Sequence, residues 1–287
     1  MEQLVIKADD KEEDFNRDKL NASLLKAGAS SELSGSATDE VDRQFKNCMN
    51  TDDIYNRALD HIRKIDPKIA LKYTLKRAIM SLGPDGFVFE KYVAKILEQN
   101  GYRAEMPQLL SGFCVDHEVD IIAERKDEHI MVECKYHNVS GIQSDIKTAL
   151  YINSRFLDLK KGWENKNHSE DSNDRLNNAY FFNRAWLFTN TKCTIDAIKY
   201  ASCSGMKITA WNYPENGSLQ FYIESKKLYP ITILSTLSEN HKRTLFKRNI
   251  LTVKELIACR IEELMELLSI DTDYAAKILD EISLISS

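Results

Sequence analysis

The chain has little cysteine, and what it has is not paired. Cys48, Cys114, Cys134, Cys193, Cys203 and Cys259 form no CxxC, and all six lie scattered through apolar-looking segments. That spacing argues against a zinc ribbon or a disulfide framework. The thiols are expected to be reduced, mostly buried and in the cytoplasm. No uncharged apolar stretch approaches the roughly 18 residues that span a bilayer. The start, Met1-Glu2-Gln3, lacks the basic residues and long apolar run of a secretory signal. No GxxxxGK[ST] occurs, which excludes a P-loop. With only 10 Gly and 5 Pro, the chain is neither collagen-like nor broadly disordered. Positive charge is not in excess: 39 Lys and Arg stand against 44 Asp and Glu, a net charge of −5. A uniformly basic nucleic-acid coat is excluded, but a local basic patch is not.

What is present divides into three segments. The length of 287 residues suits two domains, or three if some are small. The expected boundaries are 1–82, 83–226 and 227–287, giving a multidomain chain. The first segment reads as mostly α: a strand Leu4–Lys7, a charged turn Asp9–Asp14, and a helix from about Arg17 carrying Leu20, Leu24 and Leu25. A polar loop is expected over Gly28–Thr38, then a helix with Val41 and Phe45. Thr51 is placed as the N-cap of the run Ile54, Ala58, Ile62, and Pro67 as the start of the next helix. The turn Gly83-Pro84-Asp85-Gly86 separates this segment from an α/β pattern over 87–225. That pattern comprises a helix Phe87–Gln99, strands Val119–Ala123 and Ile130–Lys135, and a helix from about Asp145 to Leu159. A polar, mobile excursion is expected over 161–178. The strand Ala185–Thr189, helix Ile195–Ser202 and strand Lys207–Asn212 follow, and Asn216-Gly217 is expected to turn a hairpin into a strand Leu219–Ile223. The last segment is all α, with helices at Leu237–Phe246, Val253–Arg260, Ile261–Leu268 and Ala275–Leu284.

The stretch His117–Lys135 carries the chemistry: HEVD, then IIAERKDEHIM, then VECK. Alternation along a strand puts Glu133 and Lys135 on one face and Cys134 on the other. The polar turn Glu124–Glu128 lets the two strands pair antiparallel, which brings Asp120 beside Glu133. Two converging carboxylates repel unless a divalent cation lies between them, and an oxygen-rich site suits Mg²⁺ or Mn²⁺. A neighbouring lysine can then orient water for attack on a phosphodiester. Zinc held by His117, Cys134 and His137 is disfavoured, because Cys134 faces the wrong way. His117, Glu118 and His137 read as hydrogen-bonding neighbours.

The pattern resembles the PD-(D/E)XK nuclease core, in its Mrr-like restriction endonuclease branch, over about residues 86–225. The resemblance implies a restriction-endonuclease-like fold. In it Asp120 and Glu133 are metal ligands, the Cys134 carbonyl is a further ligand, and Lys135 is the catalytic lysine. It also implies a helix glutamate, Glu90, and a substrate- or water-ordering role for Gln143. Val119 stands where the family usually has proline.

Over about residues 3–80, LVIK, EEDFNRDKLNASLLKAG, TDDIYNRAL and ALKYTLKRA resemble the ATP-cone, a nucleotide-sensing module. By position the resemblance implies that Val5, Lys7, Glu13, Asn16, Lys19, Leu20, Thr51 and Ile54 line a site for ATP or dATP. The family's usual Lys-Arg-Asp-Gly is Lys7-Ala8-Asp9-Asp10 here. The alternative is a cone kept for packing or dimerisation. Residues 240–260 hold Lys242, Arg243, Lys247, Arg248, Lys254 and Arg260 against Glu255, and their order resembles helix-hairpin-helix domains that grip a DNA backbone. Asn249 and Ser269 replace the usual turn glycines.

Together these readings give a cytoplasmic Mg²⁺- or Mn²⁺-dependent DNA endonuclease of the restriction or phage-defence type. It would be gated by ATP or dATP and homo-oligomeric. The alternatives are a non-catalytic, nucleotide-responsive DNA-binding regulator and an RNA nuclease with the same site.

Overall fold

A computed structural model describes residues 4–7, 12–45, 49–84, 86–139, 141–168 and 180–286. Asp9, Asp10, Cys48 and Asp85 lie outside the described residues, as does most of the polar excursion. Two compact units emerge. One comprises Met1–Ile79, Pro230–Lys242 and Ile257–Ser287; the other comprises Met80–Tyr229 and Arg243–Leu256.

In the N-terminal segment, β1 (Leu4–Ile6) is the centre of a small sheet. It pairs antiparallel with β2 (Glu12–Asp14) and parallel with β3 (Met49–Asn50), with Val5 opposite Glu13 and Met49. The expected charged turn is therefore strand over Glu12–Asp14. Helices α1 (Arg17–Lys26), α2 (Ser31–Arg43), α3 (Thr51–Ile65) and α4 (Pro67–Met80) pack around one core containing Leu24, Ala37, Val41, Ala58 and Ile62. The loop expected over Gly28–Thr38 is mostly α2. Ser30 caps it by accepting from Leu33 N at 3.1 Å, and Leu33, Ala37 and Val41 recur every fourth residue on a buried face. Periodicity and the cap outweigh the Ser and Gly content. Asn50, not Thr51, caps α3, accepting from Asp53 N at 2.7 Å. Thr51 instead donates to Ile6 O at 3.2 Å.

The second segment opens with α5 (Phe87–Gln99), which buries Phe89, Tyr92, Val93, Ile96 and Leu97. Strands β4 (Arg103–Glu105), β5 (Gln108–Ser111), β6 (Asp116–Val119), β7 (Ile121–Arg125), β8 (Glu128–Lys135) and β9 (Gln143–Ser144) follow. Then come α6 (Ile146–His168), β10 (Arg184–Thr189), β11 (Lys192–Cys193), α7 (Ile195–Ser204), β12 (Lys207–Thr209) and α8 (Leu219–Ser225). The main sheet has the order β12-β10-β8-β7-β4. Its β8, β10 and β12 are parallel, while β7 is antiparallel to both β8 and β4. The β7–β8 turn needs a left-handed residue, which Lys126 supplies at φ 51°. Ile122, Met131, Leu187 and Ile208 face a core that also holds Ile152, Phe156 and Leu159 of α6. Two expectations differ. Residues 161–168 continue α6 instead of looping out. Residues 219–223 are helix, because Ser218 caps them from Phe221 N at 3.2 Å and Leu219 and Ile223, four apart, are both buried.

The C-terminal segment is helical: α9 (Glu239–Lys247), α10 (Val253–Ile257), α11 (Ile261–Leu268) and α12 (Thr272–Ser286). Asn249 and Ser269 take the left-handed turns that glycine usually takes, at φ 59° and 54°. In the first unit, Glu281 of α12 accepts from the amides of Ser235 and Thr236 at 2.8 and 3.0 Å. In the second unit, Lys95 pairs with Glu255 at 2.5 Å. Among the described cysteines none is fully buried. Cys114 and Cys203 are exposed, against expectation, since Cys114 sits in a hairpin tip and Cys203 on the open side of α7. All five described cysteines are free thiols. Among the described residues, no helix is long and apolar enough to cross a membrane.

Candidate active site

The site begins with register. Strand β7 pairs with β8 as Ile121↔Val132 and Ile122↔Met131, so one further step places Asp120 opposite Glu133. Asp120 lies in the single residue between β6 and β7, and its Oδ2 accepts from the Cys134 amide at 2.7 Å. That bond fixes the carboxylate against the end of β8. Glu133 is buried, its side chain 9% exposed, while Lys135 two residues on is exposed. Asp120, Glu133 and Lys135 are thus brought to one end of the β7–β8 pair.

Both acids feel the confinement. Burial, with the Asp120 charge adding to it, pushes the Glu133 carboxyl up to about 8. The nearby guanidinium of Arg155 opposes that shift, and Glu90 reinforces it. Burial also raises Asp120, against the Cys134 amide and Arg155, which favour its charged form. Glu90 on α5 therefore lies within electrostatic reach of Glu133. Gln143 is exposed in the two-stranded β9–β11 sheet, opposite Lys192. The Nε2 of His117 meets Asp158 Oδ2 at 2.9 Å. The backbone of His137 exchanges hydrogen bonds with the Asn190 amide, and its Nε2 meets Ser144 Oγ at 3.1 Å.

Sequence reasoning missed two residues of α6. Arg155 donates through Nη1 to Glu133 Oε2 and through Nη2 to Glu118 O. Its signal was present: Arg155 falls three after Ile152 and four before Leu159, a charge on the apolar face of a helix that packs on the sheet. Asp158 anchors the β5–β6 hairpin that leads into Asp120. It accepts from Cys114 N at 3.0 Å and Val115 N at 3.4 Å as well as meeting His117. The hairpin sits close on α6, because a Cβ on Gly162 would come within 2.6 Å of the Gly112 carbonyl carbon.

Among the described residues, no group of three or more His, Cys, Asp or Glu side chains is disposed to hold a metal ion. The donor set that fits a hard divalent cation is smaller. It consists of the Asp120 carboxylate and the buried Glu133 Oε1, which has no hydrogen-bond partner. An oxygen acceptor left without a partner beside a second, mutually repelling carboxylate is the chemistry that Mg²⁺ or Mn²⁺ satisfies. The Cys134 carbonyl would complete the expected set.

Comparison with known proteins bears on these same residues. Residues 83–148 match a family model described as restriction endonuclease, a span that holds Glu90, Asp120, Glu133, Cys134, Lys135 and Gln143. Residues 229–286 match the model described as AF1548-like, C-terminal. An uncharacterized protein of Archaeoglobus fulgidus is 34% identical over 175 residues, covering 61% of this chain and 89% of the relative. The crystal structure titled as protein of unknown function AF1548 is 32% identical, with a TM-score of 0.56 over 70% of this chain and 99% of that one. The chain belongs to the AF1548-like family. In this AF1548-like chain the restriction endonuclease match ends before Arg155 and Asp158, so the α6 residues lie outside it.

A cavity of about 230 Å³ lies within the N-terminal segment. Of the eight residues expected to line a nucleotide site, Val5, Glu13, Asn16, Lys19, Leu20, Thr51 and Ile54 line this cavity. Lys7 does not; it pairs with Glu13 at 2.6 Å. The hydrogen bond from Lys7 is the main reason the Glu13 carboxyl lies below its ordinary range. Sequence reasoning did not anticipate the aromatic wall. Tyr55 and Tyr73 stack at 4.8 Å, and the Arg77 guanidinium lies 3.4 Å from the Tyr55 ring centroid.

In the C-terminal segment, Lys242, Lys254 and Arg260 of the basic run are engaged by Glu239, Gln99 and Glu263. Arg243, Lys247 and Arg248 remain exposed. Glu255 Oε2 accepts from the amides of Leu251 and Thr252. The start of α10 is therefore capped from within.

Proposed function

We propose that this chain is a metal-dependent DNA endonuclease of the restriction type. In this reading Asp120, Glu133 and the Cys134 carbonyl hold Mg²⁺ or Mn²⁺, and Lys135 is the catalytic lysine. The observation that carries the reading is the convergence of Asp120 and Glu133 at one strand end, with Glu133 Oε1 buried and unpartnered. A divalent cation held by Asp120 and Glu133 would supply positive charge to offset what builds on the phosphate oxygens. The protein's own groups do the rest. The Cys134 amide holds Asp120 Oδ2 in place, and Glu90 adds negative charge behind Glu133. Lys135 Nζ, exposed at the strand end, is free to meet a phosphate oxygen or to hold a proton of the attacking water. Arg243, Lys247 and Arg248 contribute sequence-independent contacts to the DNA backbone. The aromatic-walled N-terminal cavity takes ATP or dATP and shifts a domain or oligomer equilibrium that gates cleavage. Its support is the coincidence between the cavity lining and the residues expected from the ATP-cone resemblance.

A substrate panel tests the proposal. Methylated and unmethylated duplex DNA, single-stranded DNA and RNA are incubated with Mg²⁺, Mn²⁺ or EDTA, each with and without ATP. Cleavage of DNA only with metal supports the reading. Cleavage confined to RNA reassigns the substrate, and nucleotide-dependent DNA binding without cleavage reassigns the chain to a regulator.

A further inference from the structure

We propose that Arg155 is the resident counter-ion of the metal-free site. It competes with the divalent cation for Glu133, and so sets how tightly that cation is held. The proposal rests on the reading of Asp120 and Glu133 as the ligands.

Burial is the first reason. The Arg155 side chain is 12% exposed, and its partner Glu133 is 9% exposed. An unpaired charge at either position would be costly, so each requires an opposite charge. Among the described residues the only ion pair of Glu133 is with Arg155. The protein therefore supplies one positive charge to the two acids, which leaves a net negative charge for a cation to meet.

The second reason is that the pair is only half used. Arg155 spends Nη1 on Glu133 Oε2 and Nη2 on Glu118 O, leaving a buried Nε without a partner. Glu133 likewise leaves Oε1 without one. A purely structural clamp between guanidinium and carboxylate would be expected to use two parallel bonds. This one leaves a spare acceptor on the acid and a spare donor on the base. The acid can take a second cation, and the guanidinium can turn to another anion. The Glu118 carbonyl retains it near the site, and the Tyr151 ring, 5.5 Å away, flanks it.

Charge arithmetic gives the direction. Arg155 repels any cation that approaches Glu133. A divalent ion carries two charges and a proton one, so removing Arg155 relieves the ion by about twice as much as the proton. Metal affinity therefore rises on its removal even where protons compete for the same carboxylate.

The test is a calorimetric titration of the full chain with Mn²⁺ at fixed pH, after stripping with EDTA. It compares wild type, Arg155→Met, Arg155→Gln and Arg155→Lys, with melting in EDTA to confirm that each is folded. The Met and Gln variants are expected to hold Mn²⁺ roughly tenfold more tightly. Lys, which keeps the charge, is expected to stay near wild type. Equal or weaker binding in whichever of the Met and Gln variants folds overturns the proposal, since Arg155 would then prop Glu133 in place as a ligand. Asp120→Asn separates the two readings. If it leaves Mn²⁺ binding untouched, the ligand assignment fails and this inference with it. If it removes binding while the Arg155 variants match wild type, only this inference fails.

Discussion

The Cys134 amide donates to Asp120 Oδ2 at 2.7 Å. One backbone hydrogen bond thus ties the acid before β7 to the strand that carries Glu133 and Lys135. It makes the site a property of the hairpin register: a slip of one residue would turn Glu133 to the opposite face.

Lys135 is exposed and contributes little to folding. Lys135→Met is therefore expected to melt within about 0.5 kcal/mol of wild type. Cleavage should fall by roughly 10²- to 10⁴-fold if the amine acts on the attacking water. Thermal denaturation and initial cleavage rates on one preparation check both halves. A Met variant that cuts at wild-type rate removes Lys135 from the mechanism.

Gly162 on α6 touches the hairpin that delivers Asp120. In Gly162→Ala the new methyl would lie 2.6 Å from the Gly112 carbonyl carbon and 2.8 Å from Phe113 N. These are backbone atoms, so the hairpin must move. A loss of about 1–3 kcal/mol is expected, with a fall in cleavage larger than the stability loss explains. Urea unfolding midpoints measure the first, and cleavage at a temperature where the variant is folded measures the second.

Glu128 provides an acid-stability prediction. Burial alone would raise its carboxyl, but hydrogen bonds from Lys207, Arg125 and Tyr102 outweigh it and hold the group near about 2, against an ordinary 4.5. The folded value is the depressed one. Its stabilisation is therefore present above pH 4.5 and is lost as pH falls toward 2. Glu128→Gln is expected to cost on the order of 2 kcal/mol at pH 7 and much less near pH 2. Chemical denaturation across that range tests it, and equal losses at both ends would contradict it.

The N-terminal cavity yields a binding prediction. Millimolar ATP or dATP is expected to raise the melting temperature by a few degrees. Lys19→Ala combined with Arg77→Ala should remove the shift, because Lys19 and Arg77 are the lining cations. No shift in wild type points to a cone retained for packing.

How much of this was legible in the sequence follows from contact range. Asp120 and Glu133 are joined by one tight turn, so strand alternation sufficed to bring them together. Helix α5 was legible because Tyr92, Ile96 and Leu97 recur at helical spacing. Helix α2 was hidden by its Ser and Gly, though Leu33, Ala37 and Val41 carried the period. Helix α8 was hidden by Asn216-Gly217, a pair that suits a hairpin turn, although Ser218 immediately after it caps the helix. Arg155 depends on how α6 lies across β8, a relation that no local pattern encodes. Only the anomaly of a charge in an apolar stripe pointed to it. In the N-terminal segment, helical periodicity places Leu20 on α1 and Tyr73 on α4, but only tertiary packing joins them at one cavity.

The most direct measurement is relaxation of supercoiled plasmid by wild type and Asp120→Asn, with Mg²⁺ or Mn²⁺ and with EDTA. The amide oxygen of Asn can still accept from the Cys134 amide, so the fold is expected to survive while the ligand charge is lost. The account predicts nicking or linearisation by wild type with metal only, and a loss of at least about 10²-fold in Asp120→Asn. Undiminished cleavage by a folded Asp120→Asn protein would contradict it.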